Sequence, residues 1–273
     1  MQSCTQLLFE VADGIAVLTL NRPEEGNALT PQMLRALEEA WARIEAERSV
    51  LAAIITGAGD RHFCTGAAVG DLRVGASGLR HEPHSIANRF SPRMCRVSKP
   101  VICVVNGLVN AGGLNFVADS DIVVCAAHAE FMDTHVSVGM VSGIEQIAIA
   151  RRAGIGAALL LALAGRSYRM PSERAYQLGI VDLVEPTAAA AMVRARALAE
   201  GICANSPQAL ALTKRSVWAC TEMPDPAAAT YAWEIIKSHW VHPDFEEGTR
   251  AFIEKRLPCW SAAPCAPRRR ARR

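Results

Sequence analysis

Three short runs of consecutive apolar residues constrain the fold of this 273-residue chain more than any other feature. They lie at residues 51–57, 101–105 and 122–125. A continuous apolar run of this length, bounded by turn residues, is typical of a strand that is buried on both faces of a sheet. Helices are predicted before the first run, at residues 31–47, and before the third, at residues 111–118. Alternation of such strands with helices predicts an open, largely parallel α/β sheet.

Further elements are predicted on both sides of this core. Alternating apolar residues on either side of Asp13-Gly14 predict a β-hairpin over residues 7–20. A helix is predicted at residues 85–97, after a glycine-rich stretch, residues 70–83, that we interpret as a mobile loop gating a nearby site. Seven amphipathic runs after Gly143 predict helices at residues 144–152, 156–164, 172–178, 188–202, 207–219, 225–238 and 245–255.

The chain therefore divides into an α/β part and a helical part. We predict a core of residues 1–200, a C-terminal helical region of residues 201–257 and a disordered basic tail of residues 258–273. The five arginines of residues 268–273 exceed the formal net charge of +2, so the body of the chain carries no basic excess. That argues against nucleic acid as the main partner, which requires basic residues clustered on a folded face.

The cysteine pattern and the hydropathy predict a cytoplasmic location. The nine cysteines include no Cys-x-x-Cys pair, and no charged-then-apolar signal segment begins the chain, so we expect reduced thiols. The longest apolar run, residues 157–165, is much shorter than the roughly 18 residues that a membrane helix requires. Histidine spacings match no metal-binding signature, so neither a metal site nor a membrane partner is expected.

Two glycine-bearing segments are each suited to offer an unhindered main-chain N–H to a ligand oxygen. They are residues 63–67, Phe-Cys-Thr-Gly-Ala, and residues 106–113, Asn-Gly-Leu-Val-Asn-Ala-Gly-Gly. Glycine permits positive φ and close approach of a ligand, and the small side chains of Ala67 and Ala111 leave the neighbouring amides uncovered. Two such amides directed at one oxygen form an oxyanion hole. The alternative is that these turns only pack a helix against a strand.

These segments occur in a fixed order with several other motifs. The others are Asn21-Arg22-Pro23, Asn27-Ala28-Leu29-Thr30, Lys99-Pro100-Val101, residues 175–182, Ser206-Pro207 with Lys214, and Glu246-Glu247-Gly248 with Lys255-Arg256. In this order, from about residue 7 to 257, the chain resembles the crotonase superfamily, the enoyl-CoA hydratase/isomerase family. The resemblance implies a spiral of ββα units with a C-terminal helical region that drives trimers, often paired into hexamers. It also implies a coenzyme A thioester as substrate, with no metal or redox cofactor.

The resemblance further implies roles for particular residues. The N–H groups of Ala67 and Gly112 would bind the thioester carbonyl oxygen. Contacts with adenine and pantetheine would come from Asn27, Ala28, Cys64, Thr65 and Gly66, and contacts with the nucleotide end, often of a neighbouring subunit, from Phe252 and Lys255. A solvated helix face is an open alternative for Lys255. Cys64 is interpreted as a small apolar filler and not as a nucleophile, because no base is adjacent in sequence.

Two positions where the hydratases of this family carry glutamates hold other residues here. Asn115 stands three residues after Gly112, and His135 stands four residues after Phe131. Asparagine cannot exchange a proton near neutral pH and is left with orienting water, whereas histidine suits general acid/base chemistry. Glu145, near the start of the next predicted helix, is the candidate replacement acid. The alternative for Glu145 is a first-turn glutamate that the helix dipole stabilises.

The leading hypothesis from these residues is an acyl-CoA enzyme with an enolate-like state held by Ala67 and Gly112. His135 would be its acid/base group, and the alternative is a packed or surface histidine without a catalytic role. His135 is expected to end a strand, with Asp133 on the same face as a candidate partner. An enzymatic alternative is hydrolysis of a carbon–carbon bond in a β-dicarbonyl substrate by His135 and Glu145. An acyl-CoA-binding protein without turnover is the alternative from another class.

Overall fold

The computed structural model describes residues 5–68 and 89–261. This part of the chain contains two β-sheets, one of six strands and one of four. The strands of this described part are β1 (Leu7–Ala12), β2 (Ile15–Leu20), β3 (Ala52–Gly57), β4 (His62–Cys64), β5 (Val101–Val105), β6 (Leu108–Asn110), β7 (Ile122–Ala126), β8 (Glu130–Met132), β9 (Met170–Pro171) and β10 (Leu183–Glu185). The larger sheet has the order β1-β2-β3-β5-β7-β10, and the smaller sheet has the order β4-β6-β8-β9.

The larger sheet is parallel except for its N-terminal hairpin. β1 and β2 pair antiparallel on either side of Asp13-Gly14, whereas β2, β3, β5, β7 and β10 pair in parallel. Every residue of β3 and β5 is buried, as expected for strands that are covered on both faces. The predicted hairpin, the three predicted core strands and the parallel α/β sheet are therefore confirmed.

The smaller sheet continues the chain after each central strand of the larger one. β4 follows β3, β6 follows β5 and β8 follows β7, each after a short connection. β4, β6 and β8 run parallel, and β9 pairs antiparallel with β8. Both glycine segments consequently belong to the smaller sheet and to the turns that border it.

Helices fill most of the remaining described chain. They are α1 (Pro31–Ala46), α2 (Gly113–Asp119), α3 (Ile144–Ala153), α4 (Ile155–Ala164), α5 (Ser172–Gln177), α6 (Ala188–Cys203), α7 (Pro207–Ala219), α8 (Asp225–His239) and α9 (Pro243–Ile253). The hydroxyl of Thr30 caps α1 by accepting from Met33 N at 3.1 Å, and Pro31 holds the first helical position. These helices confirm the predicted ones, with ends that differ by two residues or fewer.

Helices cover both faces of the larger sheet. On one face α6 packs on β3, β5 and β7, and its buried residues there are small, namely Ala191, Ala195 and Ala199. Alanine brings the helix close to the strands because no long side chain lies between them. The other face carries the larger core, in which Trp41 and Phe116 are fully buried.

The helix predicted at residues 85–97 is wrong in its described part. Residues 85–88 lie outside the described residues, and residues 91–96 form hydrogen-bonded turns. Cys95 N donates to Ser91 O at 3.1 Å, but Arg96 has a φ of +56°. A left-handed residue ends a right-handed helical run, which explains why no helix continues here. The predicted gate loop, residues 70–83, also lies outside the described residues.

The C-terminal part packs helix against helix and returns to the core. α7 packs against α8, and Ser206 Oγ donates to Asp244 Oδ2 at 2.5 Å, which joins the start of α7 to α9. Trp260, within the predicted tail, donates from Nε1 to Ala204 O at 2.8 Å, and residues 262–273 lie outside the described residues. Within the two described ranges, no helix is both long and apolar enough to span a bilayer.

Replacing Leu37 by Ala tests the larger core, because Leu37 is fully buried in α1. We expect the free energy of unfolding to fall by about 2–5 kcal/mol, since the substitution leaves a cavity. The same substitution at Leu8, which is 41% exposed in β1, is the control and should cost less than about 1 kcal/mol. Urea-unfolding curves measure both losses, and equal losses would contradict this placement of the core.

Candidate active site

The two glycine segments lie directly against each other. Gly66 has a φ of +88°, and a Cβ added to it would lie 2.8 Å from Ala111 Cβ and 3.1 Å from Gly112 N. Ala111 is itself left-handed, with a φ of +49°. No side chain fits at residue 66 without displacing the second segment, so both the positive φ and the close approach require glycine there.

The amides of Ala67 and Gly112 border the same small space. A Cβ added to Gly112 would lie 4.0 Å from Ala67 N and 3.6 Å from Gly66 Cα. Leu29 pairs with the first segment as a parallel bridge, in which Leu29 N donates to Gly66 O at 2.8 Å and Ala68 N donates to Leu29 O at 3.0 Å. This pairing leaves the Ala67 amide unused. No residue of the described chain accepts a hydrogen bond from Ala67 N or from Gly112 N.

Two buried asparagines hold the connection from which the first segment emerges. Asn27 Nδ2 donates to His62 O at 2.8 Å, and Asn106 Nδ2 donates to the same carbonyl oxygen at 3.1 Å. Asn106 Oδ1 in turn accepts from Gly57 N at 3.1 Å, at the end of β3. A Cβ at Gly57 would lie 2.5 Å from Phe63 O, so this crossing also requires glycine. The asparagines thereby fix the two glycine segments relative to each other.

The predicted substrate contacts at Asn27 and Ala28 are built into this connection. Asn27 Oδ1 accepts from Arg22 N at 2.9 Å, and both protons of Nδ2 serve main-chain carbonyls, including Ala58 O at 3.0 Å. Ala28 O accepts from Arg22 Nη1 at 2.9 Å. The side chain of Asn27 is thus committed to holding the loop, and contact of this loop with a ligand stays a prediction.

Cys64 and Thr65 lie immediately before the first glycine. Cys64 is fully buried, and this burial raises the pKa of its thiol to about 12, so the residue stays protonated at neutral pH. That environment agrees with the interpretation of Cys64 as an apolar filler. Thr65 is half-buried, and its carbonyl oxygen accepts from Asn110 Nδ2 at 3.3 Å.

Phe252 lies at the C-terminal end of α9, and Lys255 lies just after that helix. Phe252 is 86% exposed, and Lys255 is exposed just after the helix with a φ of +53°. No described contact joins either residue to the glycine segments of the same chain. Their role at the nucleotide end of a ligand, on a neighbouring subunit, stays a prediction.

His135 and Asp133 are paired, although not on a strand as expected. β8 ends at Met132, and the chain then turns into a short 3₁₀ helix that begins at Val136. The turn brings Asp133 Oδ1 to 2.7 Å from His135 Nδ1 and to 2.9 Å from His135 N. The strand prediction is therefore wrong at this point, because the turn, and not the alternation of a strand, makes the two side chains neighbours.

Asp133 is the centre of a buried hydrogen-bond network. Its second oxygen, Oδ2, accepts from Ser142 Oγ at 2.5 Å and from Gln146 Nε2 at 2.6 Å, and the side chain of Asp133 is fully buried. Sequence reasoning missed Ser142 and Gln146, because they approach from the start of α3, and no local pattern pairs that helix with this turn. The position of Gln146 beside Glu145 was the one available signal.

The network sets the charges of its two titratable members. Burial raises the pKa of Asp133, but hydrogen bonds from His135, Ser142 and Gln146 outweigh it and hold the pKa below its usual range. The hydrogen bond to Asp133 raises the pKa of His135 above 6.5, against an opposing effect of burial. The protonated form of His135 therefore stabilises the fold below about pH 6.5, and this contribution is lost as the pH rises through the raised pKa.

Asn110 connects the His135 turn to the glycine segments. Its Oδ1 accepts from Thr134 N at 3.1 Å, and its Nδ2 donates to Thr134 Oγ1 at 3.0 Å as well as to the carbonyl of Thr65. Thr134 lies between the two paired residues of the turn. Asn110 was not singled out from the sequence, yet it ties all three site segments together.

Asn115 and Glu145, two predicted site residues from different helices, are also brought together. Asn115 Nδ2 lies 3.4 Å from Glu145 Oε1 and 3.3 Å from Gly112 O. Asn115 is buried, and its Oδ1 is left without a hydrogen-bond partner among the described residues. A buried acceptor without a partner is energetically costly. Among the described residues, no group of three or more acidic, histidine or cysteine side chains is arranged to hold a metal ion.

Comparison with known proteins identifies similar sequences and structures. The model of the Enoyl-CoA hydratase/isomerase family matches residues 10–263. The (E)-benzylidenesuccinyl-CoA hydratase of Thauera aromatica is 31% identical over 93% of this chain and 98% of its own length. The 1,2-epoxyphenylacetyl-CoA isomerase of Escherichia coli is 28% identical over 92% and 97%. The crystal structure of an enoyl-CoA hydratase/isomerase from Mycobacterium paratuberculosis superposes with a TM-score of 0.86, at 32% identity, over 96% of this chain and 100% of that one.

Replacing Gly66 by Ala tests the contact between the two glycine segments. The new methyl group would combine a strained φ with overlap on Ala111 Cβ, so we expect the free energy of unfolding to fall by about 2–4 kcal/mol. Gly179→Ala is the control, because Gly179 has a φ of +78° but no atom within 4 Å of the added Cβ. Denaturant unfolding should show a loss of only about 1 kcal/mol there, and equal losses would rule out the crowding.

Proposed function

This chain belongs to the enoyl-CoA hydratase/isomerase family, and we propose that it acts on an acyl-CoA thioester through an enolate-like state. The observation that carries this proposal is the pair of amides, Ala67 N–H and Gly112 N–H, which border one small space and have no acceptor among the described residues. Removing the proton next to a thioester, or adding water to its conjugated alkene, moves negative charge onto the thioester oxygen. One preorganised donor at such an oxygen is worth about 3 kcal/mol in the transition state.

His135 is the proposed acid/base group of this reaction. Its neutral imidazole takes the proton from the carbon next to the thioester, and the resulting imidazolium returns a proton to the substrate at the same carbon or further along the chain. Return at a different carbon moves the double bond. The hydrogen bond to Asp133 raises the pKa of His135 above 6.5, and a histidine is the side chain best suited to both steps near neutral pH. The reaction requires no metal or redox cofactor.

Hydration in the usual two-glutamate form is not what these residues favour. Asn115 cannot give or take a proton, so its unpartnered Oδ1 is left to orient water or a substrate hydroxyl. The relatives include a hydratase and an isomerase by name, so family membership does not by itself fix the reaction. We place double-bond migration and enolate chemistry ahead of hydration, because one base suffices for them.

Glu145 favours a second candidate, hydrolysis of a carbon–carbon bond in a β-dicarbonyl thioester. Its carboxylate lies within 3.4 Å of Asn115 Nδ2, and it is half-buried in the first turn of α3. Its negative charge also contributes to the raised pKa of His135. His135 would then activate water for attack on the carbonyl carbon, and Glu145 would orient that water.

A homotrimer or hexamer in the cytoplasm is the proposed state of the protein. Large apolar side chains are exposed on α4 and just before α3, with Val141 91%, Ile155 71% and Leu163 71% exposed. Exposed apolar side chains of this size support an interface with other copies of the chain. Light scattering on the purified protein should give three or six times the mass of one chain, and a monomer at micromolar concentration would contradict the assembly.

Assays with CoA esters test the activity. Incubation with crotonyl-CoA and longer 2-enoyl-CoA esters, followed by the absorbance of the conjugated thioester, detects hydration as a loss of signal. The matching 3-enoyl esters should show a gain of signal if the double bond migrates. Release of a carboxylic acid from a β-dicarbonyl ester would favour the second candidate. If calorimetry shows tight binding of these esters but none of them is turned over, the alternative of an acyl-CoA-binding protein without activity is favoured.

His135→Gln is the decisive variant for the chemistry. We expect kcat to fall by about 10²- to 10⁴-fold, the usual contribution of a general acid/base group, with little change in KM. His242→Gln is the matched control, because His242 caps α9 by accepting from Asp244 N at 3.2 Å and has no described contact with the site. A kcat that is unchanged in His135→Gln would remove this residue from the mechanism.

A further inference from the structure

The carboxylate of Asp133 makes more hydrogen bonds than a structural role in this turn requires. Oδ1 accepts from both the main-chain N and the ring Nδ1 of His135, and Oδ2 accepts from Ser142 and Gln146. The main-chain contact alone would hold the turn. The ring contact adds a second attachment to the same residue, and together they define the orientation of the imidazole plane.

The arrangement also determines which ring nitrogen carries the proton. Three donors other than the ring, namely His135 N, Ser142 Oγ and Gln146 Nε2, surround a fully buried carboxylate. Its lowered pKa keeps it ionised and able only to accept. Nδ1 at 2.7 Å from Oδ1 must therefore be the protonated nitrogen of a neutral ring. Nε2 then carries a lone pair, and no described residue is hydrogen-bonded to it. The side chain of His135 is 17% exposed, so part of the ring remains accessible.

We propose that Asp133 is a positioning residue, which fixes His135 in the Nδ1–H tautomer and reserves Nε2 for the substrate. This inference rests on the proposed function for its statement that Nε2 is the atom that moves the proton. In that step the lone pair of Nε2 takes the substrate proton, and the pair of electrons left behind forms the enolate. The imidazolium keeps Nδ1–H on Asp133, and no proton passes to the carboxylate.

Ser142 and Gln146 extend the same role. Both bind Oδ2, the oxygen that does not face the ring, so they prevent rotation of the carboxylate away from His135. Ser142 lies just before α3, and Gln146 lies in its first turn beside Glu145. Among the residues that the structure describes, Asp133 and Glu145 are the anionic groups that raise the pKa of the imidazole. Arg166 Nη2 donates to Ser137 O at 2.7 Å, in the 3₁₀ turn that follows His135.

The tautomer can be measured without any substrate. In protein labelled with ¹⁵N-histidine, the ring nitrogens of His135 are identified as the signals missing from His135→Gln. Above the titration midpoint, the protonated nitrogen should be Nδ1, coupled to the carboxylate, and Nε2 should be unprotonated. A neutral His135 with its proton on Nε2 would overturn the proposal, even if the protein turned over every CoA ester. The reverse result, an Nδ1–H tautomer in an inactive protein, would leave the positioning intact and remove the proposed activity.

Asp133→Asn tests the consequence for catalysis. The amide can donate as well as accept, so the preference for Nδ1–H is lost, and the titration midpoint of His135 should fall by about one pH unit. We expect kcat to fall at least about tenfold with KM changed less than about twofold, and the lower limb of the pH profile to move with the midpoint. An unchanged midpoint and kcat would overturn the proposal.

Asp244→Asn is the matched control for this variant. Asp244 is another buried carboxylate, bound to Ser206 Oγ at 2.5 Å and lying 3.9 Å from His242 Nδ1, with no described contact to the site. It should lose stability but keep the kcat and the His135 midpoint of the wild type. If Asp133→Asn does not fold, the tautomer in the wild-type spectrum still decides the question.

Discussion

The contact between Gly66 and the Ala111-Gly112 peptide is the constraint on which this site depends. The two main chains approach so closely that a single methyl group at residue 66 would lie 2.8 Å from Ala111 Cβ. This approach places two unused amides at one small space. Asn27 and Asn106 stabilise this approach, because the side-chain amides of both donate to His62 O, just before the first glycine segment. The two buried asparagines, whose polar groups are hydrogen-bonded, therefore hold in place two amides that have no acceptor among the described residues.

Sequence reasoning predicted the fold where the signal is local and strong. The runs at residues 51–57 and 101–105 are fully buried strands or nearly so, because continuous apolar sequence is stable only between two covering layers. The helix predicted at residues 85–97 is wrong in its described part, where turns replace it and Arg96 adopts a left-handed φ that apolar spacing does not predict. The predicted disordered tail and gate loop lie largely outside the described residues and stay predictions.

The candidate site residues were likewise predictable where the sequence signal is local. Counting from Phe131 and Gly112 picked out His135 and Asn115, and the structure places them in one region through Asn110, Glu145 and the turn after β8. The strand assumed for His135 was wrong, although its pairing with Asp133 is present. Ser142 and Gln146 were missed, because no local sequence pattern pairs α3 and the residues just before it with this turn, and the position of Gln146 beside Glu145 was the one signal. The proposed role of Asp133 is to orient His135, and a single histidine of this kind fits the proposed chemistry with one mobile proton.

A structure of the protein with a bound, enolisable thioester such as acetoacetyl-CoA tests the central claim most directly. The account predicts that the thioester oxygen lies about 2.7–3.1 Å from both Ala67 N and Gly112 N, with Nε2 of His135 facing the carbon that loses its proton. An oxygen bound elsewhere, or amides that are covered by a side chain when the ester is bound, would contradict it.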